Sequence, residues 1–247
     1  MVLPTYIEAL NIEDALRRIR DVSPEVDVLV VDDNSPDGTA DIARAVAGEL
    51  GRIDVLDRPA KLGLGEAYRA AFALGIERGY DVLVQMDADL SHDARALPDL
   101  LARLDDGADV VIGSRYVPGG SIPHWPARRR ALSRFGNRYS SWMLRLGVRD
   151  ATSGFRAMRS HILEAIEYQT TRCNGYGFQI EQTYRFARTG ARIEEVAITF
   201  TDRMRGNSKM SMSIVVEAMA LVTRWGLRDR LLPRRRWSPG ATPSLPD

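Results

Sequence analysis

Apolar and polar positions follow two different periods along the first half of the chain. Short, mainly apolar runs recur at Val2–Tyr6, Val26–Val31, Ile53–Leu56 and Ala108–Gly113, and another runs from Val82 to Met86. Such runs suit strands of a parallel sheet covered on both faces. The stretches between them place apolar residues three and four apart, which predicts helices. Ala9–Arg20 puts Leu10, Ala15, Leu16 and Ile19 on one side, and Thr39–Leu50, Glu66–Arg78 and Leu97–Leu104 follow the same spacing. Strand–helix alternation with short connections predicts an α/β fold with a doubly wound, mostly parallel sheet. Val2–Tyr6 begins abruptly, as the last piece of a first strand would.

After Tyr116 the alternation stops. Residues 117–121 form a glycine-containing loop, and Trp125–Arg138 carries Arg128, Arg129, Arg130, Arg134 and Arg138 before Ser140–Leu146 continues as helix. Asp150–Arg156 is turn-prone and leads into a short strand or turn. Tyr176–Arg188 reads as helix, Arg192–Phe200 as strand, Asp202–Lys209 as a basic loop and Ser211–Trp225 as an amphipathic helix. The arginine-rich Arg228–Arg236 precedes a Pro/Ser-rich end expected to be disordered over 237–247.

Composition narrows the function. The net charge of +1 over 247 residues gives no global field for nucleic acid. One cysteine, Cys173, excludes an internal disulfide and a cysteine-built metal site. No signal peptide and no apolar run of about 18 residues is present. The charges are uneven, with acidic clusters early and arginines late.

The polar clusters fall at strand ends, where open α/β sheets bind ligands: Thr5–Glu8, Asp32–Asp37, Asp87–Ser91 and Ser114–Tyr116. Asp87 and Asp89, spaced i, i+2 after an apolar run, point the same way if the strand continues through them. Converging carboxylates call for a cation, and Mg²⁺ or Mn²⁺ shared with substrate phosphates would fit. The competing reading is a helix start, with Asp89 or Ser91 capping Ala94–Leu104. There is no Walker motif, and Gly63-Leu64-Gly65 is a weak match to the dinucleotide fingerprint because its third glycine is missing. Asp32 and Asp33 could accept hydrogen bonds from a base or ribose.

Taken together and in order, several motifs carry a resemblance. They are Pro4-Thr5-Tyr6-Ile7-Glu8, Asp32 to Thr39, Asp87-Ala88-Asp89-Leu90-Ser91-His92, Gly113-Ser114-Arg115-Tyr116, Ser153-Gly154-Phe155-Arg156, Phe178-Gln179-Ile180-Glu181, and Arg203 with Gly206-Asn207-Ser208-Lys209. The set resembles the family 2 glycosyltransferases and, within them, the dolichol- or polyprenol-phosphate mannosyltransferases. The resemblance covers about residues 2–225. It implies a GT-A fold over 1–236, with a nucleotide-binding half to about 116 and an acceptor-binding half beyond. It also implies GDP-mannose as donor, a polyprenyl monophosphate as acceptor, and Mg²⁺ or Mn²⁺. Pro4, Tyr6, Glu8, Asp33 and Asp87 would line the nucleotide pocket, and Gln179 and Glu181 the sugar pocket. Asp87 and Asp89 would serve the metal, with Ser91 where many relatives have glutamine. Arg115 and Arg129 would meet the acceptor phosphate, assisted by Ser133. Arg203 and Lys209 would close over both substrates. Ile7 departs from the family, which usually has asparagine there.

The charge asymmetry agrees with this chemistry. A phosphate monoester arrives already anionic, with a second pKa of about 6, and attacks without a general base. Arginine suits it through a planar fork. The competing functions are a UDP-sugar transferase of the same family and a catalytically silent nucleotide-sugar-binding subunit. His92 and His124 read as surface loop residues, and Trp125 as a packing residue. On Ile214–Leu232, the shared face of Ile214, Val215, Ala218, Leu221, Val222 and Trp225 either rests on an anionic membrane or packs on the domain. The expected location is cytoplasmic, peripheral on the cytoplasmic face of a membrane, with a separate anchor protein compatible.

Overall fold

The computed structural model describes residues 1–173, 175–202 and 212–231. In chain order the elements are β1 (Val2–Thr5), α1 (Ile12–Val22), β2 (Val28–Asp32), α2 (Thr39–Leu50), β3 (Ile53–Asp57), α3 (Leu64–Glu77), β4 (Val82–Gln85), α4 (Leu97–Asp105) and β5 (Val110–Ser114). Then come α5 (Ala127–Leu144), β6 (Arg156–Arg159), α6 (Ser160–Ala165), α7 (Gly175–Thr189), β7 (Ile193–Ala197) and α8 (Met212–Leu231).

The strands form one sheet in the order β3-β2-β1-β4-β6-β5-β7. Only β6 runs against its neighbours, β4 and β5. Strands from the second half of the chain thus complete the sheet begun by the first. The carboxyl ends of β1, β2, β4 and β5 consequently open along one edge.

Alternation along the strands feeds two cores. Leu3, Val30, Val84, Val111 and Ala157 face one side, against Ile12, Leu16, Val46, Leu97 and Leu100 of α1, α2 and α4. Val2, Val31, Leu83, Ile112 and Met158 face the other, against Tyr68, Phe72, Phe178, Phe186 and Trp225 of α3, α7 and α8. Burying each large apolar side chain stabilises by roughly 1.5–3 kcal/mol. An exposed ion pair such as Arg17–Glu49 contributes at most about 1 kcal/mol, so the two cores hold the fold.

Two expectations need correction, and a third, left between strand and turn, is resolved. Leu10 precedes α1 and is 68% exposed, because the helix starts at Ile12. The segment after Gly154 is a true strand inserted antiparallel, and α6 follows it unforeseen. The helix expected to end at Trp225 runs to Leu231, with Arg228 and Arg230 in its last turn, where cations suit the helix dipole. Ala218, Val222 and Trp225 are buried, so packing on the domain accounts for that face. Tyr184 stacks on Trp225 and its hydroxyl donates to Asp229, docking α8 onto α7. Ile214 and Val215 lie outside the described side chains. No helix among the described residues is long and apolar enough to cross a membrane.

Candidate active site

At the end of β1 the chain turns sharply. Ile7 sits at φ 60°, a left-handed conformation unfavourable for a β-branched side chain. Its N–H donates to Ser35 Oγ, while the Glu8 and Ala9 N–H groups donate to Thr39 Oγ1 and Asp37. Asparagine tolerates this conformation, which gives the departure at position 7 a backbone meaning. Ile7→Asn is expected to raise stability by about 1 kcal/mol in chemical unfolding. A fall in stability would mean that the half-exposed isoleucine contributes more than its backbone costs.

The two aspartates after β2 do different work. Asp32 accepts from the Thr5 hydroxyl at 2.9 Å and from the Ser35 N–H and hydroxyl, so it staples the two strand ends together. Asp33 pairs with Arg58 at 2.6 Å, both nearly buried. Burial pushes the Asp33 carboxyl up, and Arg58 offsets only part of that rise. Lys61 stands 4.1 Å from the Tyr6 ring centroid. Arg58 and Lys61 therefore join Tyr6, Glu8 and Asp33 at this edge, with Pro4 inside β1. Neither cation was singled out from sequence, where a lone loop cation gives no signal.

Asp87 and Asp89 lie beyond β4, which ends at Gln85. Their placement comes from a bend, with Leu90 at φ 62°, rather than from strand alternation. Asp89 is 4% exposed and accepts from the Ser91 N–H at 3.1 Å and hydroxyl at 2.5 Å. Ser91 thus orients Asp89. The competing helix-cap reading fails at both residues: Asp93 caps a short 3₁₀ turn that leads into α4.

His92, read as a surface residue, is instead buried, with Nε2 3.3 Å from Asp87 Oδ2. It packs between the rings of Phe155 and Phe200. His124, by contrast, is exposed. An ideal Cβ at Gly154 would stand 3.2 Å from Asp87 Oδ2, so glycine leaves the space beside that carboxylate open.

These residues fit a hard divalent ion. The donors are carboxylate oxygens, and among the described residues no group of three or more His, Cys, Asp or Glu could hold a metal. An ion at Asp87 and Asp89 would therefore need oxygens from a bound diphosphate, a habit of Mg²⁺-type sites.

Beneath the aspartates lies a buried polar layer. Burial pushes the Tyr68 hydroxyl well above its usual range, and Asp87 and Asp89 add to the rise. Arg156 is fully buried and donates to the carbonyls of Ala151, Ser153 and Gln179. Burial lowers its pKa to about 9, so it remains charged at neutral pH. The side-chain amide of Gln179, itself buried, has no hydrogen-bond partner among the described residues. Glu181 is engaged with the backbone N–H groups of Arg172 and Cys173 and with Arg185 at 2.7 Å. Arg156 belongs to a quoted motif, but its role needed the fold.

A second set of residues lines a groove between α5, α8 and the end of β5: Arg115, Trp125, Arg129, Ser133, Asn137 and Thr152. Arg115 forks onto Asp150, with Nε and Nη2 each 2.7 Å from its oxygens. The Tyr116 hydroxyl donates to Ser133 Oγ at 2.6 Å. Arg129 lies over the Trp125 ring, 3.7 Å from its centroid, and pairs with Asp202. Trp125 is buried, as expected of a packing residue. The Thr201 N–H donates to the Ser91 carbonyl, so the segment ending at Asp202 ties the aspartate loop to the groove. Arg203 and Lys209 lie outside the described residues.

The model of Glycosyl transferase family 2 matches residues 1–167. An undecaprenyl-phosphate mannosyltransferase of Micrococcus luteus is 52% identical over 229 residues, spanning 93% of this chain and 94% of that protein. A polyprenol monophosphomannose synthase of Mycolicibacterium smegmatis is 47% identical over 232 residues, spanning 94% and 88%. Among solved structures, glucosyl-3-phosphoglycerate synthase of Mycobacterium tuberculosis, in complex with Mn²⁺, UDP and glucosyl-3-phosphoglycerate, shares the fold at a TM-score of 0.63. It has 21% identity and covers 92% of this chain and 77% of that one. With the family match running from β1 through β6, and high identity to relatives over nearly their whole length, this chain belongs to glycosyl transferase family 2.

Proposed function

We propose that the protein transfers mannose from GDP-mannose to a polyprenyl monophosphate, with inversion, giving a polyprenyl β-mannosyl phosphate. The observation that carries this reading is the split of charge across the site edge. Carboxylates Asp87 and Asp89 follow the end of β4, and their loop is tied to the Arg129 groove through Thr201. The two bacterial relatives, named as an undecaprenyl-phosphate mannosyltransferase and a polyprenol monophosphomannose synthase, point the same way.

In this reading Tyr6, Glu8 and Asp33 bind the nucleotide, with Pro4 shaping the pocket and Gln179 and Glu181 bounding the sugar. Asp87 and Asp89 hold Mg²⁺ or Mn²⁺, with Ser91 fixing Asp89. A bound divalent ion supplies Lewis-acid neutralisation of the charge on the departing diphosphate. Arg129 and Ser133 place the acceptor phosphate, and Arg115, neutralised by Asp150, builds the groove wall. Arg203 and Lys209 complete the substrate contacts. The phosphate oxygen attacks the anomeric carbon from the face opposite the diphosphate, so positioning and electrostatics supply most of the rate.

The test is transfer of label into organic solvent, using Mg²⁺, a short polyprenyl phosphate and each labelled nucleotide sugar in turn. GDP-mannose is expected to give the label. Transfer from UDP-glucose alone would replace the donor assignment, and no transfer from any donor would favour a silent binding subunit.

A peripheral membrane position belongs to the same proposal. Leu132, Phe135 and Trp142 of α5 and Val216, Leu227 and Leu231 of α8 are exposed apolar residues. Arg128, Arg130, Arg134 and Arg138 are exposed on α5, and Arg230 lies over the Trp142 ring. Aromatic and basic residues together suit an anionic interface. Replacing Phe135 and Trp142 by serine is expected to lower flotation with anionic liposomes several-fold. Flotation equal to wild type would discard the surface role.

A further inference from the structure

We propose that His92 is a positioning residue for Asp87: its Nε2–H donates to the carboxylate and so sets the direction in which Asp87 meets a divalent ion. This rests on the reading of Asp87 and Asp89 as the pair that holds Mg²⁺ or Mn²⁺.

His92 Nε2 stands 3.3 Å from Asp87 Oδ2. An ionised carboxylate only accepts, so the facing nitrogen is the one that carries the hydrogen. The approach falls short of a formed hydrogen bond, and neither ring nitrogen has such a partner among the described residues. The imidazole itself is fixed. Its side chain is 1% exposed, and the rings of Phe155 and Phe200 hold it at centroid distances of 5.5 and 5.1 Å. Its backbone is held as well: His92 bridges antiparallel to Phe200, and the Ser91 carbonyl accepts from the Thr201 N–H. Asp87 is the partner with room to turn, its side chain 33% exposed and beside the open space at Gly154.

Packing alone does not call for a histidine here. A phenylalanine would fill the same aromatic slot without burying two unpaired nitrogens. One residue earlier the loop shows what the imidazole is for. Ser91 donates to Asp89 through both its N–H and its hydroxyl. The left-handed bend at Leu90 folds residues 91 and 92 back against the carboxylates before it. Ser91 thus takes Asp89, and His92 takes Asp87. Hydrogen bonds of this kind are often long in an empty site and tighten in the complex. A partner that orients a metal-binding side chain changes metal affinity by about 10–100-fold.

The test titrates the full chain with Mn²⁺ in saturating GDP or UDP, whichever wild type binds, and follows free Mn²⁺ by electron paramagnetic resonance. Nucleotide binding without metal is measured beside it. His92→Phe keeps the aromatic packing and removes the donor. It is expected to weaken Mn²⁺ binding about 10–100-fold, leave metal-free nucleotide binding as in wild type, and melt no lower than wild type. His92→Leu, a smaller side chain without a donor, is expected to show the same split. His92→Gln restores an N–H and is expected to bind Mn²⁺ more tightly than either. In an Asp87→Asn background, His92→Phe is expected to cost little further, because the group it positions has changed. Wild-type Mn²⁺ affinity in both donorless variants overturns the proposal. An equal loss of metal-free nucleotide binding also overturns it, since that marks a packing role. Asp87→Asn separates the two levels. If it weakens Mn²⁺ binding while the His92 variants do not, only the positioning role falls. If Asp87→Asn binds Mn²⁺ as wild type does, Asp87 holds no metal, and the underlying reading falls with it.

Discussion

Asp89→Asn should lower turnover with GDP-mannose and polyprenyl phosphate by about a thousandfold or more. The substitution keeps the volume and removes a charge from a buried position that would face the metal. An ion holding the leaving diphosphate is worth several kcal/mol, and each 1.36 kcal/mol is tenfold in rate. The same change should weaken GDP binding when Mn²⁺ is present and leave metal-free GDP binding nearly unaltered. Ser91→Ala, which removes the hydroxyl donated to Asp89, should cost only about 10–100-fold, the usual scale for a group that orients a ligand. Asp89→Asn retaining a tenth of wild-type turnover would sink the assignment of this loop to the metal.

The second large effect concerns stability. Asp150→Ala is expected to cost about 3–5 kcal/mol, because it leaves the buried Arg115 guanidinium without its carboxylate. The side chains of Arg115 and Asp150 are 4% and 0% exposed, and three hydrogen bonds from Arg115 end on Asp150. For a chain of this size the melting temperature should fall by roughly 6–20 °C. A pH dependence accompanies it. Burial alone would raise the Asp150 carboxyl, but Arg115 overrides it and the folded-state pKa is lowered. Its contribution is therefore present above the unfolded value of about 3.9 and is lost as pH falls through the lowered folded value. The variant should show a flatter acid limb in its stability profile. A loss below about 1 kcal/mol would mean that Thr152 and solvent satisfy Arg115 unaided.

The position of the aspartate loop shows how far pattern goes. An apolar run followed by Asp-X-Asp places the carboxylates just past a strand, but strand alternation does not orient them. The strand stops at Gln85, and a bend at Leu90 directs them. His92 was misread for a related cause. Its burial comes from Phe155 and Phe200, residues far from it in sequence. The same holds for Arg156, whose charge is absorbed by three carbonyls that meet only in the folded chain.

By itself the sequence determined the α/β class, the strand runs of the first half and the residue types at each strand end. These follow from local periodicity, which depends on near neighbours in the chain. Only the tertiary structure decided the antiparallel insertion of β6, the pairing of Arg115 with Asp150 and the hold of Asp202 on Arg129. Each joins residues tens of positions apart. Which of many cations meets which carboxylate is set by how helices and strands pack, a long-range outcome that no periodicity encodes.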